Sequence, residues 1–219
     1  MKTKTKILKS EKGFVPIIIG FCAVVLIFLA IGLALFFVFM GGGSKSQETG
    51  QTSADVGEIP GRFIPIYKAA AQRYPMPWQL LPAVHNAETT FSTSSVTYER
   101  INDAGCCAGP MQFNVTDGTW DGYKDASSGE NHTKYAGEHH IPSSDGHAHD
   151  LDGYGNGNVP PSPYDDVDAI FAAAKKLSLN GAWTGKDNDI RSSLALYNAD
   201  QGYINTVMDL YKKYLEMTK

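Results

Sequence analysis

Phe14 to Met40 is a run of 27 residues without a charged side chain. About 20 apolar residues suffice to cross a bilayer as a helix, so the run predicts a transmembrane segment and argues against a wholly soluble chain. Residues 1–12 hold five lysines and one glutamate. The positive-inside rule then keeps a basic tail, 1–13, in the cytoplasm and sends the C-terminal body outside. A cleaved secretory signal has an apolar core of about 7–15 residues followed by a small-x-small site. This run is longer and closes on Phe36-Phe37-Val38-Phe39-Met40. The expectation is an uncleaved signal anchor over 14–40, in a single-pass cell-membrane protein whose one helix contacts the lipid bilayer.

Residues 41–59 contain five glycines and few apolar side chains. They cannot bury enough surface to order themselves and predict a flexible linker roughly 25 Å from end to end. Of the formal charge of −4, the basic tail takes +4 and leaves −8 for the rest. That balance argues against nucleic acid as a partner, because phosphate binding needs clustered Lys and Arg. The remainder, 60–219, is long enough for one domain with its own core.

Its hydrophobic period is helical. Phe63, Ile66, Tyr67, Ala70, Ala71 and Tyr74 form one stripe, with Pro65 acceptable only in the first turn. Pro77 can start a second helix carrying Leu80, Leu81, Val84 and Ala87, with Pro82 expected to distort its early turns. A third runs from about Val167 to Asn180, with Asp165 or Asp166 as N-cap and Gly181 just beyond its end. Ile190 and Leu194 mark a fourth that leads to Tyr197, and Ile204, Val207, Met208, Tyr211 and Leu215 mark a fifth. No alternating strand stands out, so the fold class is mainly α. Ser92 to Pro163 is rich in Gly, Ser, Asn, Asp, His and Pro, and a loop region of that length inside a domain points to function or disorder.

Three segments carry chemistry. In Ala83-Val84-His85-Asn86-Ala87-Glu88-Thr89 a carboxylate closes an apolar helix, at the end the helix dipole disfavours. Partial burial there raises a carboxyl pKa, as a general acid requires; a solvated helix-end Glu is the plainer alternative. Gly109-Pro110-Met111-Gln112-Phe113 joins a permissive glycine to an amide between apolar residues, and Tyr197-Asn198 puts a phenol and an amide at a helix end.

In this order the three segments resemble the lytic transglycosylase branch of the lysozyme-like superfamily. Gly109 to Phe113, the following Thr119-Trp120, and the Asp-x-Asp-Gly stretch leading into Asp166-Val167-Asp168-Ala169-Ile170 are most similar to the membrane-bound lytic transglycosylase B group. The resemblance spans roughly 60–219. Thr89 stands where the family has Ser, and the Asn114–Trp120 segment is longer than the family's version. The resemblance implies a lysozyme-like domain that cleaves the MurNAc–GlcNAc β-1,4 bond of peptidoglycan and leaves 1,6-anhydromuropeptides. Glu88 would be the catalytic acid and base. Thr89, Gly109, Met111, Gln112, Phe113, Tyr197 and Asn198 would bind or position substrate, with Met111 and Phe113 lining the groove. Small anchored enzymes of this kind accompany conjugation, secretion and phage machinery, so the resemblance leaves the partner machine open.

A hydrolytic muramidase on the same fold would need a second carboxylate, and Glu99, Asp103, Asp117 and Asp121 are the nearest in sequence. A wall-binding module would not need Glu88. A zinc peptidase would depend on His139, His140, His147 and His149, whose spacing fits no short zinc motif. No cofactor is expected, although Asp150, Asp152 and Asn156 form an incomplete calcium-loop pattern. Cys106 and Cys107 are either a bridge between neighbours or two thiols.

Overall fold

The computed structural model describes residues 53–95, 97–98, 101–137, 140–142, 148–150 and 160–219. The 14–40 anchor lies outside them, as does the linker up to residue 52. Among the described residues no helix is long and apolar enough to cross a membrane.

The body is mainly helical. Among the described residues six helices carry it: α1 (Ile64–Arg73), α2 (Leu80–Thr89), α3 (Thr119–Tyr123), α4 (Asp166–Leu179), α5 (Asp187–Tyr197) and α6 (Gln201–Met217). Two small antiparallel hairpins interrupt them, β1 (Cys107–Ala108) with β2 (Phe113–Asn114), and β3 (His140–Pro142) with β4 (Ala148–Asp150). In the first, Cys107 faces Asn114 and Ala108 faces Phe113. These hairpins and α3 lie in the stretch read from sequence as loop. They are too short for any periodicity to announce them.

The centre is α4. Asp165 caps it by accepting from the Asp168 backbone N–H at 2.8 Å. Ile170, Phe171, Ala172, Ala173, Ala174 and Leu177 are all fully buried, and a helix apolar on every side belongs in a core. The alanines let α1, α3, α5 and the 3₁₀ turn Lys124–Ser127 close around it. Larger side chains there would overpack a filled space, at about 1–3 kcal/mol. On the other side α2 packs along α6.

The first stripe is buried from Phe63 to Ala71, with Pro65 in the first turn. Helix α2 begins at Leu80, not Pro77, so Pro82 falls within its first turn and distorts nothing; its missing N–H is one of the donors that no helix start can use. In α6 the buried position is Tyr214, and Leu215 is only half-buried. The folded body also starts before residue 60. Ile59 is fully buried, and Glu58 accepts from Lys213 and Tyr214, each at 2.6 Å, which ties the incoming chain to α6. Composition missed this because the attachment rests on one apolar side chain and one charge.

A buried polar chain joins α1, α2 and α4. The Tyr67 hydroxyl lies 2.7 Å from His85 Nδ1, and the Ser92 hydroxyl lies 2.7 Å from Nε2. Ser92 in turn donates weakly to Asp166 at 3.5 Å, and Tyr98 donates to the same oxygen at 2.8 Å. The consistent assignment has Tyr67 donating to Nδ1 and Nε2–H donating to Ser92, which is a neutral imidazole. Burial pushes the His85 pKa down to about 3, with the Arg62 charge adding to the effect. The unfolded chain therefore takes up a proton near pH 6.5 that the folded chain refuses, and stability falls as pH drops from about 6.5 toward 3. His85→Gln should be less stable at pH 7 but flatter with pH. Urea midpoints from pH 7 to 4 should show a wild-type slope steeper by up to about 1.4 kcal/mol per pH unit.

Candidate active-site groove

Helix α2 ends in an unusual way. Thr90, Phe91 and Ser92 all have positive φ, at 49°, 56° and 64°, a region that side-chain-bearing residues avoid. Three sets of contacts hold them there. The Thr90 N–H reaches Asn86 O at 2.9 Å, Thr89 Oγ1 accepts from Ser92 N–H at 3.1 Å, and the Phe91 ring packs edge-on against His85. The chain therefore turns sharply away two residues beyond Glu88 and leaves that side chain facing an open groove.

The groove has a volume of about 590 Å³. Gln112, Phe113 and Asn114 come to it from the β1–β2 hairpin, Asp117 from the loop after β2, Lys176 from α4, and Leu196, Tyr197 and Asn198 from the end of α5. Asn102, Cys106, Cys107 and Thr119 complete the walls. Phe113 anchors the floor, edge-on to Trp120 at 5.5 Å and to Tyr197 at 5.8 Å between ring centres. The hairpin is pinned from two sides, by Thr89 donating to Pro110 O and by Tyr197 donating to Met111 O, both at 2.8 Å.

Of the residues singled out from the sequence, Glu88, Gln112, Phe113, Tyr197 and Asn198 meet at the groove. The other three lie beneath it. Thr89 is buried and spends its hydroxyl on the hairpin, and Met111 is fully buried and offers only its carbonyl. Gly109 has a φ of 76°, and a Cβ there would sit 1.6 Å from Pro163 O, so its place is set by the approach of the segment before α4. Asn102 and Lys176 carried no sequence signal, since Lys176 follows Lys175 and reads as a solvated face; Asn114 and Thr119 entered only through the family resemblance, and Leu196 only as the neighbour of Tyr197. Among the possible second carboxylates, Asp117 reaches the groove, Asp103 and Asp121 do not line it, and Glu99 lies outside the described residues.

Glu88 is half-buried, open to the groove but enclosed by protein on its other sides. Desolvation pushes its pKa up to about 7, against the Tyr203 hydroxyl and the Lys176 charge, which both favour the carboxylate. The Tyr203 hydroxyl is buried and stands close to Glu88, yet short of ordinary hydrogen-bond geometry with any described acceptor. Burial pushes Lys176 down, opposed by Asp117 and Glu88; its ammonium sits 4.6 Å from the Tyr197 ring centre. Asp117 is exposed at the rim, and hydrogen bonds from Thr119 hold it below the usual range. A carboxyl protonated near neutrality can give a proton and take it back.

The amides share a pattern. Asn114 Oδ1 accepts from the N–H groups of Thr116 and Asp117, and Asn198 Oδ1 accepts from Asp200 N–H. With their oxygens held by backbone, these side chains offer N–H donors to a ligand.

Cys106 and Cys107 are bridged to each other. Nucleophilic thiol chemistry is excluded in that state, and His85 is committed elsewhere. His132, Asp165 and Asp168 form the group among the described residues that could hold a metal. His132 Nδ1 lies 3.1 Å from Asp165 and Nε2 3.6 Å from Asp168. Both carboxylates already serve the start of α4: Asp165 as its cap, Asp168 by accepting from Ser127 and from Ser162 N–H. Burial and the Asp165 charge push Asp168 upward, against His132. The zinc histidines His139 and His147 and the calcium candidates Asp152 and Asn156 lie outside the described residues; His140, His149 and Asp150 enter only as backbone positions of β3 and β4.

Comparison with protein-family models, curated proteins and solved structures gave no match.

Because folding raises the Glu88 pKa, the proton is bound more tightly in the folded state. Stability from this group is full below about pH 4.5 and is lost as pH rises through about 7. Glu88→Gln should therefore raise Tm by about 2–4 °C at pH 8 and change it little at pH 4. Calorimetry at the two pH values checks this.

Proposed function

We propose that the chain is a membrane-anchored enzyme that cleaves peptidoglycan glycan strands, with a lysozyme-like catalytic body held outside the cell membrane by residues 14–40. The observation that carries this reading is Glu88, a carboxyl at the groove floor kept protonated to about pH 7 by burial. The groove around it suits an acetamido sugar. Amide donors meet hydroxyl and acetamido oxygens, while Leu196, Tyr197 and Phe113 give apolar surface to the C–H faces of pyranose rings. The order of the three motifs and the expected topology support the same substrate.

Glu88 protonates the glycosidic oxygen as the bond to the MurNAc anomeric carbon breaks. The N-acetyl group assists departure. The C6 hydroxyl of the same sugar then bonds to the anomeric carbon and returns its proton to Glu88. No water enters, and the product is a 1,6-anhydro end. Gln112 positions substrate, and Tyr197 and Asn198 position substrate and acid.

Asp117 favours a second reading. It lines the same groove and is held ionised, and two carboxyls pushed apart in pKa are the arrangement a hydrolase uses. Exposure at the rim makes it the lesser candidate, because a base that holds a water needs shelter from bulk solvent.

Mass spectrometry of digested peptidoglycan distinguishes the two. Anhydro ends, one water lighter and resistant to borohydride, are expected, with activity retained in Asp117→Asn. Reducible ends and an inactive Asp117→Asn would assign hydrolysis. In either case Glu88→Gln should lose ~10²–10⁴ in rate, and wild-type kcat/KM should fall as pH rises above about 7.

A further inference from the structure

Cys106 and Cys107 close a disulfide between adjacent residues and line the groove beside Gln112. A structural staple is a poor account of this bridge. The loop it closes holds only two residues, so it removes little entropy from the unfolded chain. What it does restrict is the peptide unit between the two cysteines.

That restriction bears on Asn102. The backbone N–H groups of Cys106 and Cys107 converge on Asn102 Oδ1, each at 3.4 Å. The Asn102 N–H donates to Cys107 O at 2.8 Å, and Gly105 N–H donates to Asn102 O at 2.8 Å, so residues 102–107 form a closed turn. With its oxygen fixed, Asn102 directs Nδ2 to Gln112 Oε1 at 2.9 Å. Gln112 needs such help. Its φ of 46° is unfavourable for a residue with a side chain, and within the hairpin its side chain is held by a single bond, from Nε2 to Gly109 O at 2.9 Å. Asn102 supplies the second restraint, from outside the hairpin.

We propose that the Cys106–Cys107 disulfide and Asn102 are positioning residues that set the Gln112 amide in the groove, a role that rests on the reading of this groove as a glycan-cleaving site. The disulfide holds two converging N–H groups, these orient the Asn102 amide, and Asn102 orients Gln112. Without the bridge the 106–107 peptide turns more freely and the two donors no longer converge. A free thiol at Cys106, 3.7 Å from Asn102 Oδ1, would also compete for that oxygen. Ground-state binding of the sugar is what suffers, because Gln112 touches substrate while Glu88 is held by other contacts.

The test uses the full-length protein in detergent micelles and soluble, uncross-linked glycan strands. Cys106→Ser/Cys107→Ser should raise KM by about fivefold, the size of one neutral hydrogen bond, with kcat within about twofold and Tm little changed. Asn102→Ala should do the same with the bridge intact. Combining all three substitutions should add nothing, since they break one relay. In the wild-type protein Cys106 and Cys107, followed by peptide mapping apart from Cys22, should resist alkylation until dithiothreitol is added. An unchanged KM in the double variant, additive effects in the triple variant, a loss of activity that tracks a loss of Tm, or alkylation of Cys106 or Cys107 without reduction would each overturn the proposal. Wild-type protein and Glu88→Gln are run alongside. If the wild type fails to cleave glycan, the functional reading has failed; if it cleaves and only the cysteine and Asn102 variants behave like it, only the positioning role has.

Discussion

His85 lies under the last turn of α2 with a hydroxyl 2.7 Å from each ring nitrogen. One hydroxyl belongs to α1 and the other to the turn that follows Glu88. The imidazole is fully buried, so it can be satisfied only as the neutral ring, and only if both partners stay in place. Through Ser92 it fixes the left-handed turn Thr90–Ser92, and through Asp166 it reaches the start of α4. An unfavourable backbone persists where surrounding contacts over-determine it, and here the contact that does so is a buried side chain one helical turn before the groove carboxyl. The direction in which α2 delivers Glu88 depends on that anchoring.

The groove is then closed by few bonds between segments distant in sequence. Thr89 holds Pro110, Tyr197 holds Met111, and Asn102 holds Gln112. Each fixes the β1–β2 hairpin from a different direction, so a hairpin with only two residues in each strand acts as a rigid wall. Gly109 permits this by letting the hairpin lie against Pro163 O, where any side chain would collide. The electrostatics follow from the same assembly. Enclosure desolvates Glu88 and raises its pKa, while Lys176 and Tyr203 limit the rise by favouring the carboxylate. The balance leaves a carboxyl that changes protonation near neutrality.

Much of the helical frame was legible in advance. The stripes on α1, α4 and α6 repeat over several turns, α5 was marked by Ile190 and Leu194 alone, and Asp165 and Gly181 mark the ends of α4 in the way caps do. The misreadings have physical causes. Pro82 looked disruptive because the start of α2 was placed three residues early, and a first-turn proline costs no hydrogen bond. Tyr214, which the last stripe did not include, is buried because its hydroxyl finds Glu58 and an N–H of Asn86. Helix α3 and the β1–β2 hairpin are stabilised by packing of Trp120 and Phe113 rather than by any local pattern.

For the site, the sequence by itself determined the inventory: one carboxyl closing an apolar helix, an amide in a glycine-led turn, a phenol and an amide at a helix end. Periodicity, caps and turn residues act over a few positions along the chain, so they can be read without the fold. Only the tertiary structure decided that Thr89, Met111 and Gly109 support the groove from below, and that Asn102, Lys176 and the bridged cysteines stand in its wall. It also decided that Glu88 holds its proton to about pH 7. Burial, desolvation and the meeting of side chains from four helices depend on distances in space, and neighbours along the chain do not specify them.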